Sequence, residues 1–282
     1  MRRERTGCML AKPYLENKRA YARMKGIIIQ PKYNGVRCIA TVEQGKTPTL
    51  RSSTGLPIFN FFEIENELSQ LPNGVYDGEL YHHGMPFQEI SGIARTQHRT
   101  NDKAKLEYHI FDLVNPWPQV ARLEELERRI RIGKIFSFLV WAENIYYLEK
   151  VSEETLLFQR DEWKKAGYEG LILRDPMGFY EKKKSNYLLK WKAKEQQWFE
   201  ILNIHEELDI YKRGKDRLGA ITMRCGRSLF KAGTGLTAED RANYWTDRII
   251  GWWALIEYPE LTTKGVPHQP SIMMIKERKD NE

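Results

Sequence analysis

Three consecutive isoleucines, Ile27-Ile28-Ile29, lead through Gln30 and Pro31 into Lys32-Tyr33-Asn34-Gly35 and then Val36-Arg37. A β-branched run favours an extended strand, proline interrupts the ladder, and Asn-Gly favours a tight turn. The segment therefore reads as strand, turn and second strand, with Val36, Cys38, Ala40 and Val42 alternating on one face as in a half-buried strand. This places the Lys32 amine at a strand end, facing a cleft. An amine used in covalent chemistry must shed its proton near neutral pH, which takes partial burial or neighbouring positive charge. Taken alone, a lysine beside Asn-Gly is a solvated turn lysine, so the weight falls on the rest of the chain.

With 282 residues the chain has room for one large domain or two ordinary ones, and we read two. A formal net charge of +7 suits a polyanionic partner and carries no information about fold. Tyr187, Trp191, Trp198 and Tyr211 lie in basic surroundings, which fits a nucleic-acid surface or core strands equally. Cys8, Cys38 and Cys225 are far apart and match neither a disulfide framework nor a zinc site, pointing to a reducing compartment. No apolar run follows the charged stretch Met1 to Gly7, so the expectation is a cytoplasmic protein without a membrane partner.

Along the chain, Asn60 reads as the cap of a helix with Phe61, Ile64, Leu68 and Leu71 on one face, stopped by Pro72-Asn73-Gly74. Val75 to Tyr81 is a strand carrying Asp77 and Glu79. A short helix is expected over 87–95, an exposed polar loop from Thr96 to Lys105, and a strand from Leu106 to Val114. A charged helix follows from Val120 to Phe138, and Ser152 caps another that stops at Gly167. Glu169 then heads the apolar strand Gly170 to Arg174. Interleaved strands and helices imply an α+β domain of antiparallel sheets flanked by helices, over residues 1–194. Beyond Lys194 the expected strands are near 198–205, 218–225, 228–232, 252–258 and 271–276, with one helix from Thr237 to about Arg248. Five short strands and one helix describe an all-β barrel of the oligonucleotide-binding (OB) kind over 195–282.

Taken in order, these blocks resemble the nucleotidyltransferase motifs of small ATP-dependent DNA ligases, a superfamily shared with RNA ligases and capping enzymes. Lys32-Tyr33-Asn34-Gly35 stands at the family's K-x-D-G, Asp77-Gly78-Glu79 at its third motif, and Tyr108 to Asp112 at the next. Glu169-Gly170 matches the fourth, Leu189-Lys190-Trp191-Lys192 the fifth, and Pro270 to Lys276 the sixth. Gly233 to Thr237 and Arg241 also resemble a ligase barrel. The resemblance implies a two-domain, monomeric ligase that uses ATP with Mg²⁺ or Mn²⁺ to seal nicks in double-stranded DNA, with a phage origin in keeping with its size. Lys32 is the implied catalytic residue. The implied nucleotide-binding set is Gln30, Lys32, Arg37, Arg51, Glu79, Phe111, Glu169, Lys190, Lys192 and Lys276, with Glu79 and Glu169 as metal ligands.

These residue types suit the implied chemistry. An amine attacking a triphosphate builds negative charge on the α-phosphate and the departing pyrophosphate, so cations must converge there. Lys190 and Lys192, two apart on a strand, share a face. Magnesium takes one or two protein carboxylates beside phosphate oxygens. Phe111 stands where the family stacks adenine, and Gln30 where it reads the adenine amino group. Basic loops 95–105 and 210–215 are candidates for gripping the duplex.

Three positions depart from the pattern. Asn34 replaces an aspartate, Ser52-Ser53-Thr54-Gly55 lacks the arginine of the S-R-x-G motif with Arg51 as its nearest substitute, and Lys276 replaces an arginine with a point charge. The alternatives are an RNA ligase or capping-type transferase, disfavoured by the Gly233 to Arg241 stretch, and a nucleic-acid-binding protein with a decayed site, motivated by Asn34. Asn34→Asp is expected to keep or raise labelling by α-labelled ATP; a large loss would show that the local geometry differs from the family's.

Overall fold

The computed structural model describes residues 7–131, 135–247, 249–259, 261–262 and 264–277. The chain divides into two compact units, Met1–Ala193 and Lys194–Glu282. In chain order the first runs β1 (Leu10–Pro13), α1 (Lys18–Arg23), β2 (Ile27–Lys32), β3 (Val36–Val42), β4 (Thr49–Ser52), β5 (Pro57–Ile58), α2 (Phe62–Leu68), β6 (Gly74–Tyr81) and α3 (Phe87–Arg95). It continues with β7 (Glu107–Leu113), α4 (Gln119–Arg131), β8 (Leu139–Trp141), β9 (Ile145–Tyr147), α5 (Glu153–Lys165), β10 (Gly170–Arg174) and β11 (Lys184–Lys192).

These strands form two sheets, ordered β1-β11-β10-β2-β9 and β5-β4-β3-β6-β7-β8. Pairing is antiparallel except at two edges, where β1 runs parallel to β11 and β8 to β7. Strand β2 lies inside its sheet between β10 and β9, and Ile27, Ile28 and Ile29 are buried on both faces. That is why the run is continuous rather than alternating. Residues 33–35 do not close a hairpin: β2 belongs to the five-stranded sheet and β3 to the six-stranded one, and the chain crosses between them. One apolar core lies under the six-stranded sheet and includes Ile64, Leu68, Ile90 and Leu126; a second lies under the five-stranded sheet with Leu156 and Trp163 of α5.

The second unit comprises β12 (Glu195–Leu208), β13 (Gly214–Cys225), β14 (Ser228–Ala232), α6 (Ala238–Thr246), β15 (Trp253–Tyr258) and β16 (Ser271–Lys276). Its antiparallel sheet is ordered β14-β13-β12-β15-β16, and a parallel bridge from Thr234, just past β14, to Ser271 of β16 brings the two edges together. The expected α+β unit followed by an all-β OB-type unit is thus the fold. Thr237 caps α6 in a capping box with Asp240, and Ser152 caps α5 by accepting from the Thr155 N–H at 3.1 Å.

Three local expectations are corrected. Asn60 does not cap α2: it adopts φ 63°, and its side chain donates to the Gln97 carbonyl at 2.6 Å. The helix read as ending at Phe138 is not helical over 135–138, because the N–H groups of Ser137, Phe138 and Leu139 turn to the Glu67 carboxylate at 2.8–2.9 Å. Residues 132–134, like Arg248 of the other helix expectation, lie outside the described residues. The loop 96–105 is not all exposed. Asn101–Lys105 forms a 3₁₀ turn that buries Lys103, whose ammonium donates to the carbonyls of Phe59 (2.7 Å) and Thr96 (2.8 Å) and lies 4.3 Å from the Phe61 ring centre. Burial pushes its pKa down, with Glu65 acting the other way. Lys103→Ala would leave those carbonyls without a donor, at roughly 1–3 kcal/mol for each buried group. Urea unfolding should show a lower midpoint with an unchanged slope.

Candidate active site

Lys32 ends β2, and across the sheet Gly170 of β10 pairs with both Lys32 and Lys192. The Glu169 carboxylate, one residue before, binds the Lys32 ammonium through Oε2 and the Lys192 ammonium through Oε1. The Glu169 N–H also donates to the Lys32 carbonyl at 2.8 Å, so lysine and acid are tied by backbone and side chain together. This arrangement needs Gly170, which adopts φ 145° and whose absent Cβ would sit 2.2 Å from the Trp191 carbonyl oxygen. It also needs Gly35, where a Cβ would meet the Leu80 carbonyl oxygen at 2.3 Å. The Gly35 N–H donates to Glu79 Oε1 at 2.9 Å, which docks the crossover onto β6.

The two acids sit in opposite electrostatic settings. Burial raises Glu169, but Lys32 and Lys192 outweigh it and hold the carboxyl below its ordinary range. For Glu79 burial wins over the attraction of Lys32 and Arg37, and its pKa rises. Three rings brace the residues beside these acids. Tyr33 packs against Tyr81 and Tyr168 at 5.1 and 5.6 Å between ring centres, so the neighbours of Lys32 and Glu169 share one cluster.

Between the sheets of the first unit lies a cavity of about 340 Å³, whose lining includes Gln30, Lys32, Arg37, Glu79, Phe111 and Lys190. Among the residues singled out from sequence these six come together there. Lys192 reaches it through Glu169. Arg37 grips Asp77 through two hydrogen bonds of 2.5 and 2.6 Å, and its guanidinium lies 4.5 Å from the Phe111 ring centre. Arg51 is not brought to the cavity. On β4 Leu50 points inward, so Arg51 faces solvent and donates to the Gly55 carbonyl at 3.1 Å; Ser53 lines the cavity instead. Lys276 belongs to the second unit, its ammonium 4.7 Å from the Trp198 ring centre.

The cavity wall also carries a residue that lies in none of the motif blocks. Arg174, on its wall, donates to Gln30 Oε1 (2.5 Å), Asp112 Oδ2 (2.7 Å) and Gln119 Oε1 (2.9 Å). Asp112 in turn binds Arg122, which is fully buried. Burial raises Asp112, yet Arg174 and Arg122 pull its pKa below the ordinary range. A signal was present: an arginine closing Leu171-Ile172-Leu173 and an aspartate after Ile110-Phe111 are charges inside apolar strands, which persist only when paired.

A lysine pinned by an acid thus stands on the wall of a cation-lined cavity between two sheets. Family comparison sharpens this: residues 8–192 match the ATP dependent DNA ligase domain and residues 212–276 the DNA ligase OB-like domain. The chain belongs to the ATP-dependent DNA ligase family. It is 30% identical over 271 residues to the DNA ligase of African swine fever virus, covering 89% of this chain and 63% of that protein, so it spans under two thirds of that relative's length. Among solved structures it resembles a Lig E DNA ligase (21% identity, TM-score 0.72, 96% and 99% of the two chains). It also resembles the Chlorella virus DNA ligase-adenylate (25% identity, TM-score 0.55, 98% and 100%).

A carboxyl held below its ordinary pKa stabilises the fold above that range, and the contribution is withdrawn as pH falls through the folded-state value. Glu169→Gln should therefore lower stability at pH 7, where two lysines lose their counter-charge, and should shrink the further loss of stability between pH 6 and 3. Denaturant midpoints across that range check both signs.

Proposed function

We propose that this chain is an ATP-dependent DNA ligase that seals nicks in double-stranded DNA, with residues 1–194 as the adenylation domain and 195–282 as the OB-fold domain. The observation that carries the reading is Lys32 on the cavity wall, held by Glu169 and surrounded by Arg37, Arg174, Lys184 and Lys190. In the first step the Lys32 amine attacks the α-phosphorus of ATP; an N–P bond forms, the bond to the bridging oxygen breaks, and pyrophosphate leaves. AMP then passes to the 5′-phosphate at the nick, and the 3′-hydroxyl displaces it. Lys190 meets the nucleotide phosphates, while Lys192 holds Glu169 in place. The African swine fever virus relative is a DNA ligase, and the Chlorella virus neighbour was captured as a ligase-adenylate.

Glu79 and Glu169 supply the hard oxygen donors that suit Mg²⁺ or Mn²⁺. Among the described residues no cluster of three or more His, Cys, Asp or Glu side chains could hold a metal. A cation held there would take one or two protein carboxylates beside phosphate oxygens. Such a cation would neutralise charge developing on the phosphates. A groove of about 450 Å³, lined by Lys12, Arg23, Lys183 and Lys184 with Asp175 and Glu181 among them, shares Lys184 with the nucleotide cavity and offers four cations against two acids to a phosphodiester backbone. Among the described residues no helix is long and apolar enough to cross a membrane. We assign a monomer acting in the cytoplasm.

Purified protein incubated with α-labelled ATP should retain one covalent AMP, and Lys32→Ala should retain none. The labelled enzyme should then seal nicked DNA in preference to nicked RNA. Labelling of Lys32→Ala equal to wild type would reject the enzyme reading, and labelling by GTP or preferential sealing of RNA would move it to the capping or RNA-ligase class.

A further inference from the structure

Tyr180 lies between β10 and β11, in none of the motif blocks, and does not itself line the cavity. Its hydroxyl donates to Asp77 Oδ2 at 2.5 Å and accepts from the Met9 N–H at 3.1 Å. Arg37 joins the same two partners. Its Nε and Nη2 donate to Asp77 Oδ1 and Oδ2 at 2.5 and 2.6 Å, and Nη2 also donates to the Met9 carbonyl at 3.3 Å. Met9 thus gives its N–H to Tyr180 and its carbonyl to Arg37, and Arg37, Asp77, Tyr180 and Met9 close one circuit.

The polarity of this circuit is fixed. A main-chain N–H only donates, so the single hydrogen of the Tyr180 hydroxyl goes to the carboxylate, which accepts. Asp77 is fully buried, where a carboxylate keeps its place only if donors take up its oxygens. Arg37 meets both oxygens as a two-pronged fork, and Tyr180 adds a separate donor to Oδ2. Turning the carboxyl about its own bond, which would splay the fork, has to break the Tyr180 hydrogen bond. The circuit also spans the two sheets: Arg37 on β3 and Asp77 on β6 belong to the six-stranded one, while Met9 precedes β1 and Tyr180 precedes β11 of the five-stranded one. Arg37 lines the cavity, and so do Leu10 and Ala11, which follow Met9.

We infer that Tyr180 is a positioning residue, acting through Asp77 to hold Arg37, and through Met9 to hold the start of β1, at the wall of the nucleotide cavity. A cation fixed before its ligand arrives does not have to be ordered during the reaction. The inference rests on the adenylation reading and adds a residue outside the motif blocks on which the geometry of that site depends.

The test is a double-mutant cycle with two readouts, covalent labelling by ATP and sealing of nicked DNA by the pre-labelled enzyme. Arg37→Gln removes the charge but leaves Asp77 a donor, and should slow one or both steps about a hundredfold. Tyr180→Phe removes one oxygen and keeps the ring, and should slow the same step or steps about tenfold. In the Arg37→Gln background Tyr180→Phe should cost about twofold at most, because the residue it acts through is already gone. Asp77→Asn, which weakens the fork without touching Tyr180, runs the same cycle with the same expectation if Tyr180→Phe does not fold. An Arg37→Gln or Tyr180→Phe enzyme as fast as wild type overturns the inference. So does an undiminished loss in both backgrounds, the mark of a general structural role, or a loss confined to a step that Arg37→Gln leaves intact. Failure of wild type to label with ATP would instead remove the adenylation reading itself.

Discussion

The first unit is organised around one buried aspartate that serves two arginines. Asp112 lies on β7 in the six-stranded sheet, Arg174 on β10 in the five-stranded sheet and Arg122 on α4, and all three are almost wholly removed from solvent. Two buried guanidiniums and one carboxylate leave a net positive charge, which Gln30 and Gln119 help to disperse by accepting hydrogen bonds. Such a network is no large source of stability in itself, because desolvation offsets most of the attraction. It is a source of definition: losing Asp112 strands two guanidiniums in the interior, where breaking a buried pair costs roughly 3–5 kcal/mol, so the sheets have one way to meet. The cavity between them inherits its shape from that constraint, and Gln30 and Phe111 on its wall inherit their positions.

Much of this was legible in the chain, and the reasons are physical. Strands β2, β6, β7 and β10 announce themselves by apolar runs bounded by Pro, Gly or charge, and α5 and α6 by side chains that cap them. The order of the motif blocks picked out Lys32, Glu79, Glu169 and Lys190, because each lies at a strand end or in a strand that the fold brings to one cavity. What local pattern could not carry was the partner across space. Asn34-Gly35 has hairpin chemistry, yet β2 and β3 belong to different sheets, and nothing in seven residues encodes which sheet a strand will join.

The misplaced residues have two causes. Arg51 is the nearest arginine in sequence to a missing one, but period-two alternation sends it to solvent while its neighbour Leu50 fills the core. Lys103 was assigned to water because charged loops usually are; here main-chain carbonyls and the Phe61 ring replace the hydration shell. Asn60, placed at a cap by composition, is drawn instead to a carbonyl 37 residues away. For Lys103 and Asn60 a long-range contact overrode a sound local preference, whereas Arg51 follows the alternation of its own strand.

The pairing of Glu169 with two lysines has a further consequence for the enzyme's cycle under the proposed reaction. When Lys32 carries AMP its nitrogen is no longer a cation, and a phosphate anion stands in its place. Glu169 then shares its surroundings with a new negative charge and keeps Lys192 as its one ammonium partner of the original two. The clamp is thus tightest in the resting protein and weakest in the charged intermediate. Under that reaction the covalent step would loosen the hold on the very lysine that it modifies.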